Sequence, residues 1–173
     1  MLDTDLLSKL RQWDGVRVEY LKELYIANSS SIDFFDKLVT ICVNEQTLEN
    51  AATWLIKHHY DNGRTLPEFL TERLLAGCKN LKNWEAKLHV LQIIPHVTLS
   101  EKSTIIIDEF VRECLADNNK FVRAWAYNGF YVLTKYIPEL KTELELICQR
   151  AMETESAAVK SRVRKIILAL NKK

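Results

Sequence analysis

Four cysteines, Cys42, Cys78, Cys114 and Cys148, recur along the chain at intervals of 36, 36 and 34 residues. This period constrains the fold more than any other feature, because self-similarity at a fixed spacing of about 20–50 residues marks repeat architectures. Four residues before each cysteine stands Leu38, Leu74, Phe110 or Leu144, and eight before stands Phe34, Leu70, Ile106 or Leu140. Such spacing lays one apolar stripe along a helix, so the same amphipathic helix is written four times. Four glycines and three prolines in 173 residues are too few for the turns of an all-β sandwich. The fold class read from these features is all-α.

A second helix follows each of these after a polar break, with apolar anchors at Leu48, Trp84, Val122 and Val159. Ala52, Leu88, Ala126 and Val163 come four residues later, and Leu55, Leu91, Gly129 and Ile166 seven later, which again gives one buried face. The unit is a helical hairpin. Leu6 lies 36 residues before Cys42, and helices around 3–13 and 16–27, parted by Asp14-Gly15, form an irregular first pair over 1–28. Repeats follow at about 30–61, 65–96, 99–136 and 138–171. Thr65 to Glu68 and Thr98 to Glu101 read as capping boxes, and Asn62-Gly63 as a helix stop. No Pro-, Gly- or Ser-rich linker divides the chain, which predicts one continuous domain over 1–173, an alpha-alpha superhelix (right-handed solenoid) of about five helical hairpins.

Hydrophobic residues make up 47% and charged residues 27% of the chain, values that set disorder and collagen-like structure aside. No apolar run reaches the length of about 18 residues needed to span a membrane. The start MLDTDLLSKL carries acids where a signal peptide carries basic charge. A cytoplasmic protein without membrane contact is expected. The formal net charge of +1 argues against a surface that is basic throughout. Yet Lys160, Arg162, Arg164, Lys165, Lys172 and Lys173 give +6 after residue 155 with no acid, leaving −5 for residues 1–155.

The stretch Asp117-Asn118-Asn119-Lys120-Phe121-Val122-Arg123-Ala124-Trp125-Ala126 resembles the HEAT (armadillo-type) repeat pattern: an Asp ending one helix, then Val-Arg and a small residue in the next. Val159-Lys160 keeps the apolar–basic pair, whereas Leu48-Glu49 and Trp84-Glu85 carry an acid in place of the base. The resemblance covers residues 30–171 as a repeat and 117–133 as a motif. It implies that the second helices line a concave side, and that Asp and Arg form a ladder between neighbouring repeats, a structural role for Arg123. In architecture the chain also resembles the HEAT-like alkylpurine DNA glycosylases. That family's Trp with an Asp one turn later is not matched: the corresponding residues are His58 after Trp54, Leu88 after Trp84, Gly129 after Trp125 and Arg17 after Trp13.

Chemistry-bearing residues are scattered. Zinc thiolates come as close pairs, whereas these cysteines lie one per repeat, with equivalent positions about 10 Å apart in stacked helices. They read as buried thiols. His58 and His59 diverge by about 100° on a helix and do not share an ion. Glu85 and His89, four apart, share a face that suits an acid–base pair, but no H-E-x-x-H, phosphate loop or nucleophile elbow accompanies them. No metal, cofactor or catalytic residue is expected.

The candidate binding surface is the side of the second helices one and five residues past each anchor: Glu49, Glu85, Arg123 and Lys160, then Thr53, His89, Tyr127 and Arg164. Trp54, Asn128, Tyr131 and Lys135 project beside them. Tyr, Trp and Arg are the residue types that anchor interfaces. The expected function is therefore a non-enzymatic scaffold or interaction module holding a protein or peptide on its concave side. The alternative is a nucleic-acid-binding relative of the DNA glycosylases, using Arg162, Arg164 and Lys165.

Overall fold

A computed structural model of the chain describes residues 4–172. Asp3, the expected start of the first helix, and Lys173 of the basic tail lie outside the described residues. The fold is all-helical: 78% of the described residues are in helices and none is in a strand. The described residues form ten α-helices, α1 (Thr4–Arg11), α2 (Val18–Asn28), α3 (Ile32–Asn44), α4 (Glu49–Asp61), α5 (Glu68–Gly77), α6 (Trp84–Ile93), α7 (Glu101–Leu115), α8 (Lys120–Leu133), α9 (Leu140–Thr154) and α10 (Ala157–Leu170).

Local sequence explains most boundaries. Gly63 takes φ 71° after α4, and the amides of Gly63 and Arg64 turn back onto the carbonyls of Tyr60 and His59. That left-handed turn suits glycine and ends the helix. Gly15 takes φ 79°, while Asp14 Oδ1 accepts the amides of Val16 and Arg17. The two expected capping boxes are not formed. Pro67 precedes α5 in an extended conformation and its carbonyl takes the first helical amides, so Thr65 stands too early to cap. Before α7 the cap is Ser100, whose Oγ accepts the Ser103 amide at 3.1 Å, rather than Thr98.

The second helices begin in a common register that the expected anchors miss in one repeat. Asn83, Asn119 and Ser156 occupy the N-cap positions of α6, α8 and α10, and Glu45 precedes the one-turn 3-10 helix Gln46–Leu48 that leads into α4. The third residue after each is buried: Leu48, Ala86, Val122 and Val159. Trp84 is instead the first residue of α6 and 41% exposed, and the buried line of that helix runs through Ala86, Val90 and Ile93. The anchor of that repeat is Ala86. Leu88, on the expected line, is only half-buried. Among the first helices, Ile106 and Leu140 are also half-buried, and Ile107 takes the core place in α7. Successive steps of four drift by about 40° around a helix, so a buried line must alternate steps of four and three.

The chain divides into two compact units, residues 1–96 and 97–173. In the first, α3 packs on α4, α5 lies beside α3, α6 lies beside α4, and α2 rests on α4. Arg73 of α5 donates to Asp36 Oδ1 at 2.5 Å and Thr40 Oγ1 at 2.7 Å on α3. In the second, α7 packs on α8, α10 packs on both α8 and α9, and Arg112 of α7 grips Glu143 of α9 at 2.5 and 2.9 Å. The four repeat cysteines are all buried, with Leu38, Leu74, Phe110 and Leu144 buried one turn before them.

Gly77 marks a close approach of α5 to α3. A Cβ there would fall on the Val43 side chain, well inside van der Waals contact, and a β-branched neighbour has few rotamers with which to yield. Gly77→Ala should lower stability by about 1–3 kcal/mol despite the better helix propensity of alanine. In a denaturant double-mutant cycle, Val43→Ala should recover most of that loss. An additive cycle would show that the two residues do not meet.

Candidate functional site

The second helices carry the candidate residues, and five of them, Glu49, Thr53, Glu85, His89 and Arg123, hold neighbouring helix pairs together. In the first unit Glu49 is 4% exposed. Its Oε2 accepts the amides of Lys82 and Asn83 at 2.9 and 2.8 Å, while Asn83 Oδ1 accepts those of Glu85 and Ala86. A helix start presents amides without helical partners, and here one acid and one N-cap divide them. Glu49 is thus not on an exposed ladder, because it fastens the start of α6 to α4.

Thr53 is also buried, against expectation. Its hydroxyl lies 2.7 Å from the Glu49 carbonyl, the usual back-bond to the preceding turn, and 3.0 Å from His89 Nδ1. With the hydroxyl donating to that carbonyl, the imidazole donates to Thr53 Oγ1. Burial pushes His89 down to about 4, and Lys57 nearby adds to the effect. Glu85 accepts from Asn50 Nδ2 at 2.5 Å, and burial raises its carboxyl above the usual range. Glu85 and His89 are thereby directed onto α4 rather than onto each other. Trp54 is half-buried with its indole stacked on His58, centroids 4.7 Å apart. His59 is buried, its Nδ1 3.0 Å from the Tyr25 hydroxyl, and ties α4 to α2.

In the second unit Arg123 plays the part of Glu49. It forms a two-pronged pair with Glu155 at 2.8 and 2.9 Å and donates to the carbonyls of Asp117 and Asn118. Arg123 thus clamps the loop before its own helix to the residue before Ser156. Tyr127 is 8% exposed and belongs to the packing rather than to an open surface. Lys160 donates to the Glu153 carbonyl at 3.2 Å.

A different set remains on the surface of this unit. Asn128 and Tyr131 are half-buried and Lys135 is exposed, with the Lys135 ammonium 5.6 Å from the Tyr131 ring centre. On α10, Ser161, Arg164, Lys165 and Leu168 are exposed at i, i+3, i+4, i+7, opposite the buried Val159, Val163 and Ile166. Between the helices the Arg162 guanidinium lies over the Trp125 ring at 4.0 Å. Both residues stand six positions after their N-caps, 37 residues apart. The ladders at one and five residues past the anchor step over this pair. Arg162, Arg164 and Lys165 form no ion pair with any described carboxylate, and neither α8 nor α10 contains an acid.

Burial pushes the Cys42 thiol up to about 12 and the Cys148 thiol up to about 11, which disfavours the thiolate a metal requires. Among the described residues no three His, Cys, Asp or Glu side chains gather where a metal ion could sit, and no helix is long and apolar enough to cross a membrane.

Two stability predictions follow from the first unit. His89 has a folded value of about 4 against an ordinary 6.5, so its neutral form favours the fold. The contribution is complete above pH 6.5 and is lost as pH falls from 6.5 toward 4. Urea unfolding at pH 7 and 4.5 should differ by about 2 kcal/mol more in the wild type than in His89→Gln. An identical pH dependence would show that His89 is solvated. Glu49→Ala, which strips the Lys82 and Asn83 amides of their acceptor, should cost about 2–3 kcal/mol, with Glu49→Gln recovering part of it in the same assay.

No family model matches this chain, and no curated protein or solved structure matches it either.

Proposed function

We propose that this protein is a non-enzymatic interaction module built of HEAT-like helical repeats, and that it binds a protein or peptide partner on the outward side of α8 and α10. The observation that carries the reading is the division of labour among its cations. Arg112 and Arg123 are each held by carboxylates across a repeat boundary, whereas Arg162, Arg164 and Lys165 have none. An Arg162–Trp125 cation–π pair and the exposed Leu168 stand among these cations, with Tyr131 under Lys135 on α8, and such residues anchor interfaces. The acid–base candidates Glu85 and His89 are turned to structural partners, and burial favours the neutral imidazole.

The same unpaired cations favour a second reading, contact with nucleic-acid phosphates, for which steep salt dependence is the signature. A closer relation to the alkylpurine glycosylases would need a carboxylate one turn after an exposed Trp, and Trp54 has His58 stacked there instead.

Selection of displayed random peptides on immobilised protein tests the module reading. Peptides of whatever composition should be enriched on the wild type and lost on an Arg164→Glu/Lys165→Glu variant, two exposed positions whose change leaves the helical circular dichroism and melting intact. Failure to enrich, or equal enrichment on both proteins, would overturn this placement of the surface.

A further inference from the structure

The chemistry of the α8–α10 side goes further than the presence of a surface and selects among partners. Resting on the module reading above, we infer that this side receives an acidic amphipathic segment of a partner protein, with carboxylates on Arg162, Arg164 and Lys165 and an apolar side chain between Tyr131 and Leu168.

Charge supplies the first part of the argument. The two helices carry no Asp or Glu, and the acid next to the start of α10, Glu155, is already engaged by Arg123. An anionic segment therefore meets cations that need not leave another partner. The Arg162 guanidinium is held over the Trp125 ring at 4.0 Å, and its N–H groups suit a two-pronged grip on a carboxylate. Ordering a guanidinium before binding lowers the entropy lost when the bond forms.

Apolar surface supplies the second part. Leu168 is 65% exposed at the C-terminal end of the same exposed stripe, one turn beyond Arg164. A solvated polybasic cap has no use for a leucine there, but a helix with acids flanking an apolar ridge does. The helix-in-groove mode reads its anchors at such spacings.

Ring geometry separates this partner from single-stranded nucleic acid. Unspecific strands bind by laying bases on open aromatic faces. Here one face of Trp125 is taken by Arg162, and the Tyr131 ring has the Lys135 ammonium beside it at 5.6 Å. The rings serve as supports for cations, and the cations with Leu168 form the contact surface.

The test uses three fluorescent probes against the full chain at about 50 and 200 mM salt, a range over which exposed ion pairs are progressively screened. One is a 20-residue peptide with Leu at i, i+3, i+4, i+7 and Glu between them. The second has the same composition in scrambled order, and the third is a 20-nucleotide oligothymidine. The patterned peptide should bind at least tenfold more tightly than the scrambled one, weaken severalfold in the higher salt, and lose tenfold or more on Arg162→Gln. Leu168→Asp, at an exposed position that cannot upset the core, should abolish the preference for the patterned peptide. Equal binding of patterned and scrambled peptides, insensitivity to both variants, or tighter binding of the oligothymidine overturns the inference. Tighter oligothymidine binding at these residues would favour the nucleic-acid reading instead, whereas enrichment of displayed peptides of another composition overturns the inference and leaves the module reading standing. Silence of every probe and of the peptide selection removes both.

Discussion

The starts of α6 and α10 are where one helix pair becomes committed to the next. A helix N-terminus exposes amides that its own turns do not use, and these must be satisfied wherever the loop is buried. In the first unit Glu49 reaches from α4 to the amides of Lys82 and Asn83. In the second, Arg123 reaches from α8 to Glu155, whose carboxylate in turn lies 3.3 Å from the Ser156 amide. Residues of opposite charge do the same work at the same place in the repeat, one directly and one through a carboxylate. What is retained is the bridge to the next loop rather than the sign of the residue that makes it. This explains why the acid at Leu48-Glu49, which departs from the HEAT-like Val-Arg pattern, is compatible with ordered packing.

That bridge also decides how much of the sequence was legible. The helical class followed from the cysteine period and the apolar stripes because each cysteine and the apolar residue one turn before it are buried in α3, α7 and α9 and at the end of α5. The anchor at Trp84 did not hold, since tryptophan looks like a core residue by hydropathy while its position after the Asn83 cap points it outward. Counting from the cap, rather than from the largest apolar residue, brings Leu48, Ala86, Val122 and Val159 into one register. Alanine carries so weak a hydrophobic signal that only the Asn before it could have revealed the position. Thr65 and Thr98 failed as caps for a related reason. The motif was present, but Pro67 and Ser100 stood closer to the helix and fixed the backbone first.

The site was less legible than the fold because exposure of a polar side chain depends on its partner, and the partner lies some 35 residues away. Glu49, Thr53 and Arg123 read as surface residues by type and spacing, yet each is bonded to an adjoining repeat. Arg162 was visible as part of a basic tail, whereas its seat on Trp125 becomes apparent only when both are counted from their N-caps. Tyr127 illustrates the same limit for aromatics: with 8% exposure it stabilises the packing, and the half-buried Tyr131 one turn later keeps the outward position.

The two units reach different electrostatic solutions with the same helix type. In the first, the contact between α4 and α6 runs through Asn50 with Glu85 and Thr53 with His89, short polar links whose imidazole is held neutral by burial. Such a seam gains from hydrogen bonds in a low-dielectric place and leaves little charge to offer a ligand. In the second, the ion pairs Arg123–Glu155 and Arg112–Glu143 satisfy the structural demand, and the cations beyond them on α10 are surplus to it. Unpaired like charges along one helix repel, which disfavours the isolated helix by a few tenths of a kcal/mol per close pair. On α10 the close like-charge pairs are Lys160 with Arg164 and Arg162 with Lys165, and neither Arg164 nor Lys165 has a carboxylate partner in the fold to offset their repulsion. Opposite charge on a bound segment would relieve it, so the cost carried by the free protein becomes part of the drive to bind.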